Sequence, residues 1–160
     1  KEQLAGRTYV IEAKRNYWEI WVPHKFEYWK QNKIVFPDIS GSPRFYYSTQ
    51  GDVVNGNCYW ITLPEGVDQD YFHLIQGVCN SNLMTKYHDL CFNNKLYSGK
   101  RRYFSQYVER YPLPNIESKI SSEIIKTVKD LSKTNKEEEI TSLEIRLDEL
   151  VAQSFKATMG

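Results

Sequence analysis

The sequence predicts an α+β protein in which a twisted antiparallel β-sheet is followed by helices and a C-terminal helical hairpin. Two observations support this fold class. Between Tyr9 and Leu63, short aromatic and β-branched runs alternate with Gly, Asn and Ser turns, a pattern typical of strands in an antiparallel sheet. After residue 111 aromatic residues become rare and apolar residues recur at helical spacing. The 160 residues are enough for one domain with a buried core.

Five runs in the first zone are predicted strands, at residues 9–11, 18–22, 33–36, 45–48 and 58–63. The Asn55-Gly56 pair between the last two runs is typical of a type I′ hairpin turn. Tyr46 and Tyr47 are consecutive on one predicted strand, and consecutive strand side chains point to opposite faces. We therefore expect one of these tyrosines in the core and the other in solvent.

Two helices are predicted in the middle of the chain. The apolar positions that recur at helical spacing in the first are Tyr71, Leu74, Ile75 and Val78. Asp68 or Asp70 suits its N-terminal turn, where the helix dipole favours a carboxylate. A second helical period follows Asn80-Ser81-Asn82 and includes Leu83, Met84, Tyr87, Leu90 and Cys91. The run at residues 98–102, Ser-Gly-Lys-Arg-Arg, then predicts a flexible basic loop.

Pro112 and Pro114 predict a boundary, because proline ends a helix. We expect a recognition domain at residues 1–114 and a helical hairpin at residues 115–160. Its two apolar stripes are Ile116, Ile120, Ile124, Val128 and Leu131, then Ile140, Leu143, Leu147, Leu150 and Val151. Residues 141–144, Thr-Ser-Leu-Glu, resemble a capping box that begins the second helix. The long stripe could also dock on a partner.

Charge and cysteine content restrict the partners and the compartment. The net charge is +1, with +3 before residue 112 and −2 after it, so an anionic partner is expected to meet the first part. Cys58, Cys79 and Cys91 are odd in number and lack metal-ligand spacing, which indicates a reducing, cytoplasmic compartment. No apolar run is long enough for a membrane span. The chain begins with Lys1 and has no signal peptide, so we expect a domain from a longer protein.

The sequence contains no recognisable catalytic motif. It has no G-x-G-x-x-G, no P-loop and no H-E-x-x-H. His24, His73 and His88 are scattered, without a nucleophile and an orienting acid at a familiar spacing. Asp68 and Asp70 are expected to begin a helix and not to bind a metal. The residues therefore predict neither catalysis nor a cofactor site in this chain.

Three blocks, in order, carry a resemblance to a known family. The first joins YWEIW at residues 17–21 to KIVFPDIS at residues 33–40. The second joins NSNL at residues 80–83 to YPLP at residues 111–114, and the third is LEIRLDELV at residues 143–151. Together they resemble the C-terminal target-recognition domain of Taq-type, adenine-specific DNA methyltransferases of restriction-modification systems. The second block also resembles type I restriction specificity subunits.

The resemblance implies a function in DNA recognition. The partners would be double-stranded DNA and an N-terminal methyltransferase domain of the same parent chain, with no membrane. In this family that other domain contains a glycine-containing motif that binds S-adenosylmethionine and an Asn-Pro-Pro-Tyr motif at the flipped adenine. Neither motif occurs in these 160 residues. We therefore expect no methyl transfer by this fragment alone. The parent would be a site-specific adenine-N6 methyltransferase, which could also be fused to an endonuclease.

A DNA reader needs base contacts for specificity and phosphate contacts for position. Arg44 follows a predicted strand into a Ser/Gly/Pro loop and is the base-reading candidate, since arginine can bind guanine O6 and N7 bidentately. Ser42, in the same loop, is the second. The phosphate-binding candidates are Lys100, Arg101 and Arg102, with Lys33 and Lys25 as further ones.

Two other functions stay open on sequence alone. A fragment of a type I restriction specificity subunit would also bind DNA, but would assemble with separate modification subunits. A protein-interaction module would instead use the apolar stripes of the C-terminal helices to bind a partner protein. The packing of those stripes distinguishes the last possibility from the others.

Overall fold

A computed structural model of the chain describes residues 6–12, 14, 16, 25–54, 56–92 and 95–156. The architecture is α+β, as the sequence predicts. A three-stranded antiparallel sheet lies against a layer of helices, and the C-terminal hairpin packs on the far side of that layer.

The central strand of the main sheet is β1 (Lys33–Pro37), which continues after Asp38 into the short β2 (Ile39–Ser40). β3 (Tyr46–Ser48) and β4 (Cys58–Ile61) pair with opposite edges of β1. The strand predictions at residues 33–36, 45–48 and 58–63 are confirmed. Tyr46 is exposed while Tyr47 packs against the core, as the alternation of strand side chains predicts.

Two helices cover the sheet. α3 (Asp70–Asn80) and α4 (Asn82–Phe92) match the two helical periods of the sequence. The Asp68 carboxylate accepts a hydrogen bond from the backbone N–H of Asp70 at 2.9 Å, so Asp68 serves the first turn as expected. α3 buries Phe72, Leu74 and Val78 against the sheet and the hairpin.

The C-terminal hairpin consists of α6 (Lys119–Leu131) and α7 (Glu137–Lys156). Ser118 caps α6 by accepting a hydrogen bond from the backbone N–H of Ser121. The inner faces of both helices join the hydrophobic cluster of the sheet through Ile124, Val128 and Leu147, among others. The predicted capping box is wrong. α7 begins one turn earlier, and the Thr141 hydroxyl donates to the carbonyl of Glu137 from within the helix.

The remaining short elements are α1 (Thr8–Glu12), α2 (Phe26–Lys30), α5 (Ser105–Val108) and β5 (Arg101–Arg102). β5 pairs antiparallel with β2, placing Arg102 opposite Ile39 and Arg101 opposite Ser40. A 3₁₀ turn, Tyr97–Gly99, precedes β5 and contains two residues with positive φ. The basic run is therefore not a loop throughout, because two of its three basic residues belong to a strand.

Two further strand-region predictions differ from the structure. Residues 9–11 were expected in a strand but lie in α1, where the N–H of Ile11 bonds to the carbonyl of Arg7 at 3.2 Å. A short apolar run is compatible with either a helix or a strand, and at residues 9–11 the local hydrogen bonds form a helix. The Asn55-Gly56 turn does not form a hairpin between its neighbours, because β3 and β4 lie on opposite edges of β1. Asn55 and the predicted strand at residues 18–22 lie outside the described residues.

Candidate nucleic-acid interface

The recognition loop, residues 41–45, connects β2 to β3 at one end of the central strand. Ser42 and Arg44 are exposed on it, and Pro43 between them fixes its own φ and restricts the residue before it. The structure records no hydrogen bond or ion pair from either side chain to another described residue. The loop then enters the core at Phe45, which is 2% exposed and stacks on Phe36 at 4.8 Å. The buried Phe45 thus anchors the loop directly beside two polar side chains that have no partner among the described residues.

Arg44 and Ser42 face an open groove of about 860 Å³. The recognition loop forms one wall, and α3, the start of α4 and the hairpin form the others. The polar groups opposite the loop include Asn80, Asn82 and Asp148. The groove is wide and mixed in polarity, which suits contact with a large polar ligand more than enclosure of a small one.

The predicted phosphate contact Arg101 lies beside the recognition loop but is already engaged. Its Nε and Nη2 donate to the two carboxylate oxygens of Asp89 at 2.6 and 2.9 Å, and its Nη1 donates to the carbonyl of Gly41 at 2.9 Å. Both side chains of this ion pair are less than one-fifth exposed. The hydrogen bond from Arg101 is the main reason that the pKa of Asp89 falls to about 2, and Lys95 at 3.1 Å adds to the effect.

The other members of the basic run differ from Arg101 and from each other. Lys100 is exposed, and its side chain makes no hydrogen bond or ion pair with the described part of the chain, although its backbone carbonyl accepts from the N–H of Leu96 at 2.7 Å. The Arg102 guanidinium lies 5.0 Å from the ring centroid of Phe104 and is only partly exposed. The pairing of β5 with β2 brings all three residues close to the recognition loop.

The two remaining sequence-predicted lysines lie apart from this group. Lys33 is fully buried, and its Nζ donates to the carbonyl of Trp29 at 2.6 Å. Burial lowers the pKa of Lys33, and the nearby Asp52 carboxylate partly opposes that effect. Its charge is therefore not presented on the surface. Lys25 is exposed immediately before α2, where a phosphate could reach it.

Sequence reasoning missed the part that Asn80 plays. Its Oδ1 accepts from the backbone N–H of Phe45 and its Nδ2 donates to the Phe45 carbonyl, both at 2.9 Å. The Asn80-Ser81-Asn82 segment carries part of the family resemblance. Its contact with a loop 35 residues away had no signal in the sequence.

Other chemistry is not assembled in the described part of the chain. No group of three or more His, Cys, Asp or Glu side chains there could hold a metal ion. Cys79 is buried in the core, and burial raises its pKa well above the ordinary value. Among the described helices, none is long and apolar enough to cross a membrane.

Comparison with known proteins identifies the family that the chain matches. Residues 3–113 match the model of a family described as the TaqI-like C-terminal specificity domain. The chain is also 46% identical over 156 residues to a protein of Aneurinibacillus aneurinilyticus named Type II methyltransferase M.BanIII. That alignment covers 97% of this chain and 27% of the relative, so the chain spans about a quarter of the relative's length.

Proposed function

Because the chain belongs to the family of TaqI-like C-terminal specificity domains, we propose that it reads the DNA target sequence for a methyltransferase of a restriction-modification system. The parent protein would be an adenine-N6 methyltransferase of the prokaryotic cytoplasm, using S-adenosylmethionine bound by its N-terminal domain. Residues 1–114 would be the recognition domain and residues 115–160 the hairpin that supports it. This chain would supply specificity and no methyl transfer.

The observation that carries the proposal is the recognition loop. Arg44 and Ser42 are exposed and uncommitted beside the buried anchor of Phe45. A guanidinium so placed can bind the O6 and N7 atoms of a guanine in the major groove. Lys100, close to the same loop, and Lys25, immediately before α2, can bind phosphates, which position the protein without specifying sequence. Arg102 would contribute to the same positive surface.

Packing of the hairpin favours this function over a protein-interaction module. Ile124, Val128, Leu147, Leu150 and Val151, from both apolar stripes, belong to the same buried cluster as the sheet. The apolar faces that these residues form are buried within the fold and are therefore not available to bind a partner protein. The relative named as a type II methyltransferase supports the methyltransferase context over a type I specificity subunit.

The test is selection of DNA by the full-length parent protein. The purified protein is equilibrated with duplexes that carry a randomised central segment, and the bound fraction is sequenced. We expect enrichment of one short sequence, and we expect Arg44→Ala to relax the preference at one base pair by about 1–3 kcal/mol. Binding without enrichment of any sequence, or absence of binding at about 50 mM salt, would contradict the proposal.

A further inference from the structure

We propose that Asn80 and the Asp89–Arg101 ion pair are positioning residues that hold the two ends of the recognition loop, and so fix the angle at which Arg44 meets DNA. The inference rests on the proposed function. It gives Arg101 a different role from the phosphate contact that its place in the basic run suggests.

The first end of the loop is held at Gly41. Three of the five N–H groups of Arg101 are used at once, two by Asp89 and one by the Gly41 carbonyl. The planar guanidinium cannot rotate without breaking the bidentate pair, so the carbonyl bond has a fixed direction. Arg101 also belongs to β5, whose pairing with β2 sets the distance between them.

The second end is held at Phe45. The Asn80 amide closes a two-point hydrogen-bonded ring with the backbone N–H and C=O of Phe45, much as a neighbouring strand would. Asn80 is itself fixed at the junction of α3 and α4. The hairpin contributes there, since the Asp148 carboxylate accepts from the backbone N–H of Asn82 at 2.7 Å and from its side-chain amide.

Between these two ends only three residues remain, and Pro43 is one of them. Arg44 is adjacent to the Asn80 contact and carries no bond of its own to the described residues. A bidentate base contact needs one well-defined orientation of the guanidinium relative to the base. A loosened loop would let the Arg44 side chain adopt many orientations. The contacts of Arg101 with Gly41 and of Asn80 with Phe45 are the two clamps of the loop. They therefore affect discrimination between bases more than general attraction to DNA.

Asp89→Asn separates the two possible roles of Arg101. If Arg101 bound phosphate, removing the acidic partner would free a guanidinium, leaving the sequence preference intact and strengthening binding to all duplexes. If Arg101 is a positioning residue, the same change relaxes the preference at one base pair, by about 2- to 30-fold. Arg101→Lys keeps the charge but lacks the planar fork that binds both oxygens of Asp89 and the Gly41 carbonyl at once, so it should relax that base pair as well.

Asn80→Ala tests the other clamp, with a double-mutant cycle as its decisive readout. In the parent protein, Asn80→Ala should relax the same base pair as Arg44→Ala. Combined with Arg44→Ala it should cause no further loss there. Asn80→Asp keeps the acceptor for the Phe45 N–H but places a carboxylate oxygen against the Phe45 carbonyl, so it should relax that base pair as well. Thermal unfolding of each variant is measured so that only folded proteins are compared.

The outcomes separate this inference from the function on which it rests. A wild-type protein that enriches no sequence overturns both. A selective wild type whose preference survives Arg44→Ala overturns the role of Arg44 and the clamps with it. A preference lost in Arg44→Ala but unchanged in Asn80→Ala and Asp89→Asn overturns the clamps alone. Relaxation of one shared base pair in all three variants is the expected result.

Discussion

The Tyr111 hydroxyl lies 2.7 Å from Nδ1 of His88, and the His88 side chain is completely buried. This pair joins α4 to the segment that leads into the prolines before the hairpin. Phe45, at the end of the recognition loop, packs against Tyr111 with ring centroids 6.4 Å apart. The hydrogen bond between Tyr111 and His88 thus stabilises the core packing around Phe45, next to the candidate interface.

Tyr111→Phe should lower the free energy of unfolding by about 1–3 kcal/mol, because it removes the hydroxyl that bonds to a buried ring nitrogen. Tyr103→Phe is the matched control. The Tyr103 hydroxyl is also buried but has no hydrogen-bond partner in the described part of the chain, so its removal should be neutral or slightly stabilising. Urea unfolding of both variants compares them. Equal destabilisation by the two changes would show that loss of a buried hydroxyl, and not loss of its bond to His88, determines the effect.

Acid should weaken the protein through the Asp89–Arg101 pair. The pKa of Asp89 is lowered to about 2 from its ordinary value of 3.8. Its stabilisation is therefore complete above the unfolded-state value and is lost as pH falls from about 4 to about 2. This difference in pKa corresponds to about 2 kcal/mol at neutral pH.

Asp89→Asn should remove that contribution and flatten the dependence of unfolding free energy on pH across this acid window. Urea titrations of wild type and variant at several pH values check it. Two curves that stay parallel from neutral pH to about pH 2 would show that the ion pair contributes little stability.

Two lysines that look alike in the sequence should behave differently in DNA binding. Lys100 is exposed beside the recognition loop, whereas Lys33 is fully buried and bonded to the Trp29 carbonyl. Lys100→Ala should weaken binding to all duplexes and reduce the slope of log K against log salt by roughly one. Lys33→Met should leave that slope unchanged. Fluorescence anisotropy of the parent protein with a random-sequence duplex at several salt concentrations measures both, and a reduced slope in Lys33→Met would place its charge at the DNA after all.

Gly77 sets how closely α3 approaches the hairpin. A methyl group there would lie 2.8 Å from Cγ2 of Val128 and 3.0 Å from Cγ2 of Ile124, and β-branched side chains in helices cannot easily rotate away. Gly77→Ala should therefore destabilise the protein by about 1–3 kcal/mol despite its better helix propensity. Gly56→Ala, whose new methyl group would meet no atom within 4 Å, is the control and should be near neutral. A more stable Gly77→Ala protein would show that the hairpin can shift to accommodate the methyl group.

Local patterns in the sequence were sufficient for most of the elements. The spacing of Leu74, Ile75 and Val78 predicts α3, and the aromatic run at residues 45–48 predicts β3. Both depend on near-neighbour periodicity, which the chain displays directly. The same reasoning was wrong at residues 9–11, where local hydrogen bonds form a helix, and at Asn55-Gly56, because β3 and β4 pair with opposite edges of β1 and not with each other.

The sequence by itself determined which side chains could bind DNA, and the tertiary structure decided which of them are free to do so. Arg44, Lys100, Arg101 and Lys33 all carry a positive charge in the sequence. Only folding buries Lys33 and bonds it to the Trp29 carbonyl, pairs Arg101 with Asp89, and leaves Arg44 without a partner among the described residues, beside the bond between Asn80 and Phe45. These partners are separated by up to 35 residues along the chain. Charge is a property of the residue, whereas availability depends on long-range contacts that no local pattern encodes.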